Sequence, residues 1–175
     1  MIKLTKCVAT DILTDELNRL YDEAFGYISV ERKRIGDQQL KNELINNLGQ
    51  FPVIKYETDG YLVGIASYTD IIYNNKKYMF HRHPIYGQTE SGSRAWWYSE
   101  EFQQKNSEYV RNEGYAGVIT LFNPESPAGK AVGNHFGTFG KFYNTPLIVE
   151  PEEMNITLDV TAVNKLKAYV IDLMD

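Results

Sequence analysis

Residues 51–83 read FPVIKYETDGYLVGIASYTDIIYNNKKYMFHRH, and this stretch decides the fold of the chain. Its apolar residues follow the two-residue period of strands, interrupted by two turn signals. Thr58-Asp59-Gly60 and Asn74-Asn75 contain residue types that tolerate the left-handed backbone of tight hairpin turns. The stretch therefore predicts an antiparallel meander of three strands, Pro52–Glu57, Tyr61–Tyr73 and Lys77–His83.

The residues before the meander predict one strand and two helices. Ile2–Val8 has the alternation of a first strand. Thr14, followed by two acidic residues, begins a helix that ends at Gly26. From Asp37 to Gly49, apolar residues recur at helical spacing and predict the second helix.

Beyond the meander, helices and strands alternate. Gly87–Ser93 is a loop by composition, and Ser91 or Ser93 is the cap of a long helix over about 94–112. The near-continuous apolar run Tyr115–Phe122 predicts a buried central strand. The final third predicts a short helix, two strands and a terminal helix, at Ser126–Phe136, Pro146–Val149, Asn155–Val160 and from Thr161 onward.

The composition indicates one globular domain. The chain has 175 residues, of which 43% are hydrophobic and 23% charged, as is ordinary for folded proteins. Cys7 is the single cysteine, which excludes an intramolecular disulfide and a cysteine-rich metal site. A net charge of −5 without a dense Lys/Arg run argues against nucleic acid as a partner. No apolar run approaches the roughly 18 residues of a membrane span, and no signal peptide is evident, so we expect no membrane partner and a cytoplasmic location.

The order of predicted elements resembles that of the GNAT (GCN5-related N-acetyltransferase) superfamily. The resemblance covers about 1–160 and leaves 161–175 as a helical extension of the same domain. It implies an α/β fold of the α+β kind, with a mixed, mostly antiparallel sheet of about six to seven strands, helices on both faces and an extra C-terminal helix. It also implies an acyl-CoA-dependent N-acetyltransferase that moves an acetyl group from acetyl-CoA to a small-molecule or protein amine.

In that family a loop patterned Gln/Arg-x-x-Gly-x-Gly/Ala holds the pyrophosphate of acetyl-CoA on backbone amides at a helix start. Gln88–Ala95 resembles this loop, although Gln88 and Gly92 are one residue too far apart and Arg94 stands where Gly or Ala is expected. A structural loop that caps a helix is the alternative interpretation. The cofactor-binding residues that the resemblance implies here are Thr89, Ser91, Gly92, Ser93 and Arg94.

The family next has an Asn at the end of its fifth strand and, about seven residues later, a Tyr that often serves as general acid. The resemblance assigns Asn123 to the first position and Lys130 to the second, both at the cofactor. No Tyr occurs between Tyr115 and Tyr143, so the usual proton donor is missing. His135 and Tyr143 are the candidate substitutes.

The triplet His81-Arg82-His83 lies on a predicted strand, where alternation directs both histidines to one face. An imidazole titrates near neutral pH and can act as a base. In the GNAT layout this strand borders the acetyl group, so His81 or His83 is the candidate general base. A structural role in lining a pocket is the alternative. Zinc needs three or four ligands and the remaining histidine is distant in sequence, so no metal is expected.

Trp96-Trp97-Tyr98 is an aromatic cluster within the predicted long helix. Adjacent helical residues point about 100° apart, so one indole is expected to be exposed. Trp96/Trp97 and the C-terminal helix are therefore candidate contacts for a protein partner or a homodimer. The imperfect loop and the missing Tyr also suit a catalytically inactive, GNAT-like binding or structural protein, similar to short bacteriophage proteins with roles in assembly or host interaction.

Overall fold

The computed structural model describes residues 1–12, 14–25, 46, 50–156 and 166–175. They form two compact units, each drawn from separate parts of the chain. As far as these ranges are described, the first unit contains Met1–Tyr68 and His83–Trp96, and the second contains Thr69–Arg82, Trp97–Asp159 and Asn164–Asp175.

Within the described ranges, seven strands form one sheet in the order β1-β2-β3-β4-β5-β7-β6. The pairing of β4 with β5 is parallel, whereas β1–β2, β2–β3, β5–β7 and β6–β7 are antiparallel. This confirms the mixed, mostly antiparallel sheet that was predicted. The strands are β1 Ile2–Cys7, β2 Val53–Thr58, β3 Tyr61–Tyr73, β4 Lys76–Tyr86, β5 Gly117–Phe122, β6 Leu147–Val149 and β7 Lys167–Asp172. The described helices are α1 Thr14–Phe25, α2 Glu100–Asn112, α3 Pro127–Asn134 and α4 Phe136–Phe139.

The first unit is built on the antiparallel strands β1, β2 and β3. Asp59 and Gly60 join β2 to β3 with φ angles of 50° and 83°, which confirms the predicted hairpin turn. The apolar face of α1 covers these strands and forms a core with them. Its buried residues are Ile12, Leu17, Leu20, Val53, Leu62, Ile65 and Ile85.

The second unit is organised around β5. This strand pairs in parallel with β4 from Tyr78↔Gly117 to His81↔Thr120, and antiparallel with β7 from Gly117↔Asp172 to Phe122↔Lys167. It is buried over its first four residues, which confirms the predicted central strand.

Two serines set the starts of helices in the second unit. The Ser99 hydroxyl accepts a hydrogen bond from the Phe102 amide, so α2 begins at Glu100 and not near residue 94. A 3₁₀ turn, Ala95–Tyr98, precedes it. The Ser126 hydroxyl accepts from the Gly129 amide at 3.1 Å and caps α3, close to where the short helix was predicted.

The prediction of a C-terminal helix is wrong, because Lys167–Asp172 forms β7. Tertiary pairing overrides the helical spacing of the apolar residues, since β7 bonds to both β5 and β6. Its alternating side chains are buried on both faces, with Val170 beside Ile119 in one cluster and Tyr169 in another.

Two further predictions reach beyond the described residues. The helix over 37–48 lies outside them apart from residue 46. Of the strand predicted at 155–160, only Asn155 and Ile156 are described, and neither is in a strand. A 3₁₀ turn, Pro151–Met154, follows β6. No helix among the described residues is long and apolar enough to cross a membrane.

We expect Gly117→Ala to destabilise the protein strongly. A Cβ at Gly117 would collide with the Ile171 carbonyl oxygen across the β5–β7 pair, and such overpacking costs about 1–3 kcal/mol. Gly133→Ala is the matched control, because no heavy atom lies within 4 Å of its Cβ position in α3; we expect a gain of about 0.5–1 kcal/mol there. Urea unfolding followed by circular dichroism measures both, and equal effects would contradict the role assigned to Gly117.

Candidate functional site

The loop predicted to bind pyrophosphate lies in the first unit and already uses most of its backbone donors. The Thr89 amide donates to the Ser93 carbonyl and the Gly92 amide to the Thr89 carbonyl, both at 2.8 Å. The Ser93 amide donates to the Thr89 hydroxyl at 3.0 Å, which also lies 3.0 Å from the Ser91 hydroxyl. Gly92 has a φ of 89°, as this closed turn requires.

A carboxylate from α1 occupies another donor of the same loop. The Gln88 amide donates to Glu23 Oε2 at 3.0 Å. Arg19 holds the same carboxylate through hydrogen bonds of 3.0 and 3.1 Å. A Cβ at Gly87 would collide with Glu23 Oε2, so the backbone approaches the carboxylate closely.

Arg94 also has a partner on α1. Its guanidinium donates to the Glu23 carbonyl oxygen, which is one of the carbonyls that a helix leaves unpaired at its C-terminal end. The arginine that departs from the family's Gly/Ala pattern therefore ties the loop to the end of α1.

These residues do not fit the pyrophosphate of acetyl-CoA. A phosphate-binding loop needs backbone N–H groups that converge on the anion, whereas the amides of Gln88, Thr89, Gly92 and Ser93 already serve acceptors within the first unit. The Glu23 carboxylate adds a like charge at that position. The structure thus corresponds to the alternative interpretation in that the loop is structural, although Ser99 and not this loop caps the long helix.

In the second unit, Asn123 ends β5 and turns the chain into α3. Its side-chain oxygen accepts from the Glu125 amide at 3.0 Å, and its carbonyl accepts from the Ser126 hydroxyl at 2.6 Å. The Asn123 carbonyl also packs so closely on Gly129 that a side chain there would collide with it. Lys130 is exposed on α3. Both residues therefore lie at the start of α3.

His81 and Thr120 form the last register pair of the β4–β5 ladder. Register partners on parallel strands share a face of the sheet, and neighbouring strands lie about 4.8 Å apart. Both residues are buried, with 3% and 5% of their surface exposed. His81 Nε2 lies 3.3 Å from the weakly accepting sulfur of Met79, and the Thr120 hydroxyl has no hydrogen-bond partner among the described residues.

Burial lowers the pKa of His81 from 6.5 to about 4, because the apolar surroundings disfavour the charged imidazolium. The imidazole is therefore neutral at physiological pH. Thr120 was missed in the sequence, although it is the single polar residue within the apolar run 118–122. A hydroxyl buried without a partner is rare enough to require an explanation.

Tyr143, another predicted catalytic residue, makes contacts of its own in the second unit. Tyr143 is buried, accepts a hydrogen bond from Asn106 Nδ2 at 3.0 Å and bridges to Leu173, whose amide bonds to Ala116 at the start of β5. Asn123 follows the opposite end of that strand, so the structure does not bring Tyr143 and Asn123 together.

His135 ends α3, and its ring stacks on Tyr98 with centroids 4.0 Å apart and an interplanar angle of 5°. His83 is a strand residue of β4 in the first unit. Among the described residues, no three His, Cys, Asp or Glu side chains are grouped so that they could hold a metal ion.

The expectation of an exposed tryptophan is wrong. Trp96 is buried in the first unit, where its Nε1 donates to the Gly87 carbonyl at 2.9 Å. Trp97 is half-buried in the second unit, where it stacks on Phe139. The chain turns through a 3₁₀ segment here, so each indole reaches its own core.

We expect the stability of the protein to fall between pH 7 and pH 5 because of His81. The folded pKa lies below the unfolded value of 6.5, so the unfolded chain binds the proton first and stability decreases as the pH falls through 6.5 towards 4. The loss from pH 7 to pH 5 should be about 2 kcal/mol. Urea unfolding of the protein and of His81→Leu at both pH values measures it, and an equal pH dependence in the variant would contradict the assignment.

No protein-family profile matches the sequence, and no curated protein sequence is similar to it. Solved structures are similar over the whole chain. A protein from Desulfovibrio desulfuricans described as a GNAT-family acetyltransferase is 10% identical with a TM-score of 0.54, and the match covers 100% of this chain and 99% of that one. A protein from Staphylococcus epidermidis described as an acetyltransferase is 12% identical with a TM-score of 0.53, and the match covers 100% of both chains.

An aminoglycoside acetyltransferase from an uncultured soil metagenomic sample is also similar, with 10% identity and a TM-score of 0.51 over 80% of this chain and 91% of that one. At these identities the likeness concerns the backbone. The chain therefore has the fold of the GNAT superfamily, as the order of its predicted elements indicated.

Proposed function

We propose that this protein is an N-acetyltransferase that moves the acetyl group of a thioester, acetyl-CoA in the first instance, to an amine. The observation that carries the proposal is the pair His81–Thr120, two buried polar side chains at the last register of the β4–β5 ladder. An unpaired hydroxyl in a folded core costs stability, and a site that handles protons gives such a group a use.

The backbone next to this pair supports the same function. The described β4–β5 ladder ends at Thr120, while β5 continues to Phe122 and stays paired with β7. Strand residues turn their N–H and C=O groups alternately to the two edges, so Leu121 or Phe122 presents both groups on the edge away from β7. Such an edge suits the secondary amides of a pantetheine arm, which can bond to it as an added strand does.

The side chains present can support the proton transfers of the reaction. A bond forms between the amine nitrogen and the thioester carbonyl carbon, the C–S bond breaks with its electron pair on sulfur, and the proton lost by the amine is finally carried by the thiol. Neutral His81 has one ring nitrogen that can accept a hydrogen bond from the amine, and the Thr120 hydroxyl both donates and accepts. Backbone N–H groups at the end of β5 are the available donors to the carbonyl oxygen.

A second candidate function is binding without acyl transfer. The observation that favours it is the closed loop at Gln88–Ser93, whose amides are already used. In that case the fold serves as a binding or structural scaffold, since a fold alone does not fix an activity.

The Thr120→Val variant separates the two functions. Valine keeps the shape and removes an unpaired buried hydroxyl, so we expect stability to rise by about 1–2 kcal/mol. If the hydroxyl serves the reaction, thiol release from acetyl-CoA in the presence of an amine panel should fall by about tenfold or more.

Thr5→Val is the matched control, because the Thr5 hydroxyl is also buried without a partner among the described residues and lies on β1, at the edge of the sheet. We expect this variant to gain stability and retain activity. The transferase is refuted if the unaltered protein releases no thiol with any amine and Thr120→Val changes only the stability. That result would favour the binding protein.

A further inference from the structure

The amides of the Gln88–Ser93 loop have acceptors inside the first unit, and this bears on which acyl donor the protein takes. Acetyl-CoA has two recognisable parts, the pantetheine thioester and the nucleotide with its pyrophosphate. The thioester part suits the edge of β5 in the second unit, as argued above. In the loop that the sequence pattern assigned to the pyrophosphate part, the amides of Gln88, Thr89, Gly92 and Ser93 already have acceptors.

Glu23 is the residue that holds the loop in this state. Its side chain is 18% exposed, and its carboxylate accepts from the Gln88 amide at 3.0 Å and is fixed by Arg19. Arg19 is itself held in place, because it donates to the Leu62 carbonyl at 2.7 Å and lies over the Tyr61 ring at 4.3 Å. The carboxylate thus takes the place of an external anion at the Gln88 amide.

Both cations near the loop are engaged as well. Arg19 pairs with the Glu23 carboxylate, and Arg94 bonds to the Glu23 carbonyl. A pyrophosphate at this loop would have to displace the carboxylate from Gln88 and would then face its negative charge at short range. Glu90, exposed in the same loop, adds a second negative charge.

We infer that the acyl donor is recognised as a pantetheine thioester, with its nucleotide contributing little to binding. This inference rests on the proposed transferase function and specifies its donor. The reaction is the one given above, with acetyl-S-pantetheine as donor and pantetheine thiol as product. The same chemistry is offered by a free pantetheine thioester and by the phosphopantetheine arm of an acyl carrier protein.

The test compares donors on the unaltered protein. We expect kcat/KM for S-acetylpantetheine to lie within about threefold of that for acetyl-CoA, whereas recognition of the nucleotide would favour acetyl-CoA by about 30-fold or more. An acetylated acyl carrier protein is the third donor. If kcat/KM for the acetylated carrier protein is about tenfold above that for both small thioesters, the carrier protein is the acyl donor. If it is at or below their values, the donor is the free thioester.

Calorimetric titration with adenosine 3′-phosphate 5′-diphosphate, the nucleotide of acetyl-CoA with its pyrophosphate, gives a readout that does not depend on turnover. We expect no saturable binding to the unaltered protein at millimolar concentration. Glu23→Ala frees the Gln88 amide and removes the carboxylate that pairs with Arg19, so this variant should bind the nucleotide at least about tenfold more tightly.

Asp22→Ala is the matched control, because it removes an equal charge from an exposed position next to Glu23 on α1. It should change nucleotide binding by less than about threefold. If the alanine variant does not fold, Glu23→Gln replaces it in the titration, because glutamine keeps the shape and an acceptor oxygen. Its affinity for the nucleotide should also rise, but by less than that of the alanine variant.

The outcomes separate the two proposals. A strong preference for acetyl-CoA in the unaltered protein, or tight binding of the nucleotide to it, overturns the inference and leaves the transferase in place. Values of kcat/KM for S-acetylpantetheine and acetyl-CoA that agree within about threefold support the inference. If no thioester is consumed or bound, the transferase fails and the inference fails with it.

Discussion

Hydrogen bonding along both edges of β5 is the constraint on which the second unit depends. A strand with parallel β4 on one side and antiparallel β7 on the other has no solvated edge over Gly117–Thr120, so the neighbouring backbones must approach it closely. Gly117 meets this need where the β7 backbone approaches most closely. The pairing with β4 stops at Thr120, and the polar groups of the candidate site lie where this constraint is released.

The parts of the fold that depend on local chemistry could be predicted from the sequence. Asp59-Gly60 and Asn74-Asn75 adopt positive φ angles, which few other residue pairs tolerate. The run 117–122 is apolar because both faces of β5 are covered. The C-terminal strand could not be predicted in this way, because its apolar residues suit a helix and a strand equally and only its partners β5 and β6 decide between them.

The candidate site shows the same division. The loop at Gln88–Ser93 could be located from its composition, but its state depends on Glu23, which is 65 positions away in sequence. Likewise, the two-residue period places His81 on a strand, whereas its burial and its register with Thr120 depend on how β4 meets β5. Local patterns identify candidate residues, and long-range contacts determine which of their atoms remain available.

The adjacent residues Trp96 and Trp97 are the only two tryptophans in the chain, and each packs in a different unit. Trp96 lies within 6 Å of the Tyr56 and Tyr86 ring centres, and Trp97 packs with Tyr98 and Phe139. The intrinsic fluorescence of the protein is therefore the sum of two reporters with separate surroundings. Replacing either indole with phenylalanine leaves one emission signal for one unit, which provides an optical means of asking whether the two units unfold in a single cooperative step.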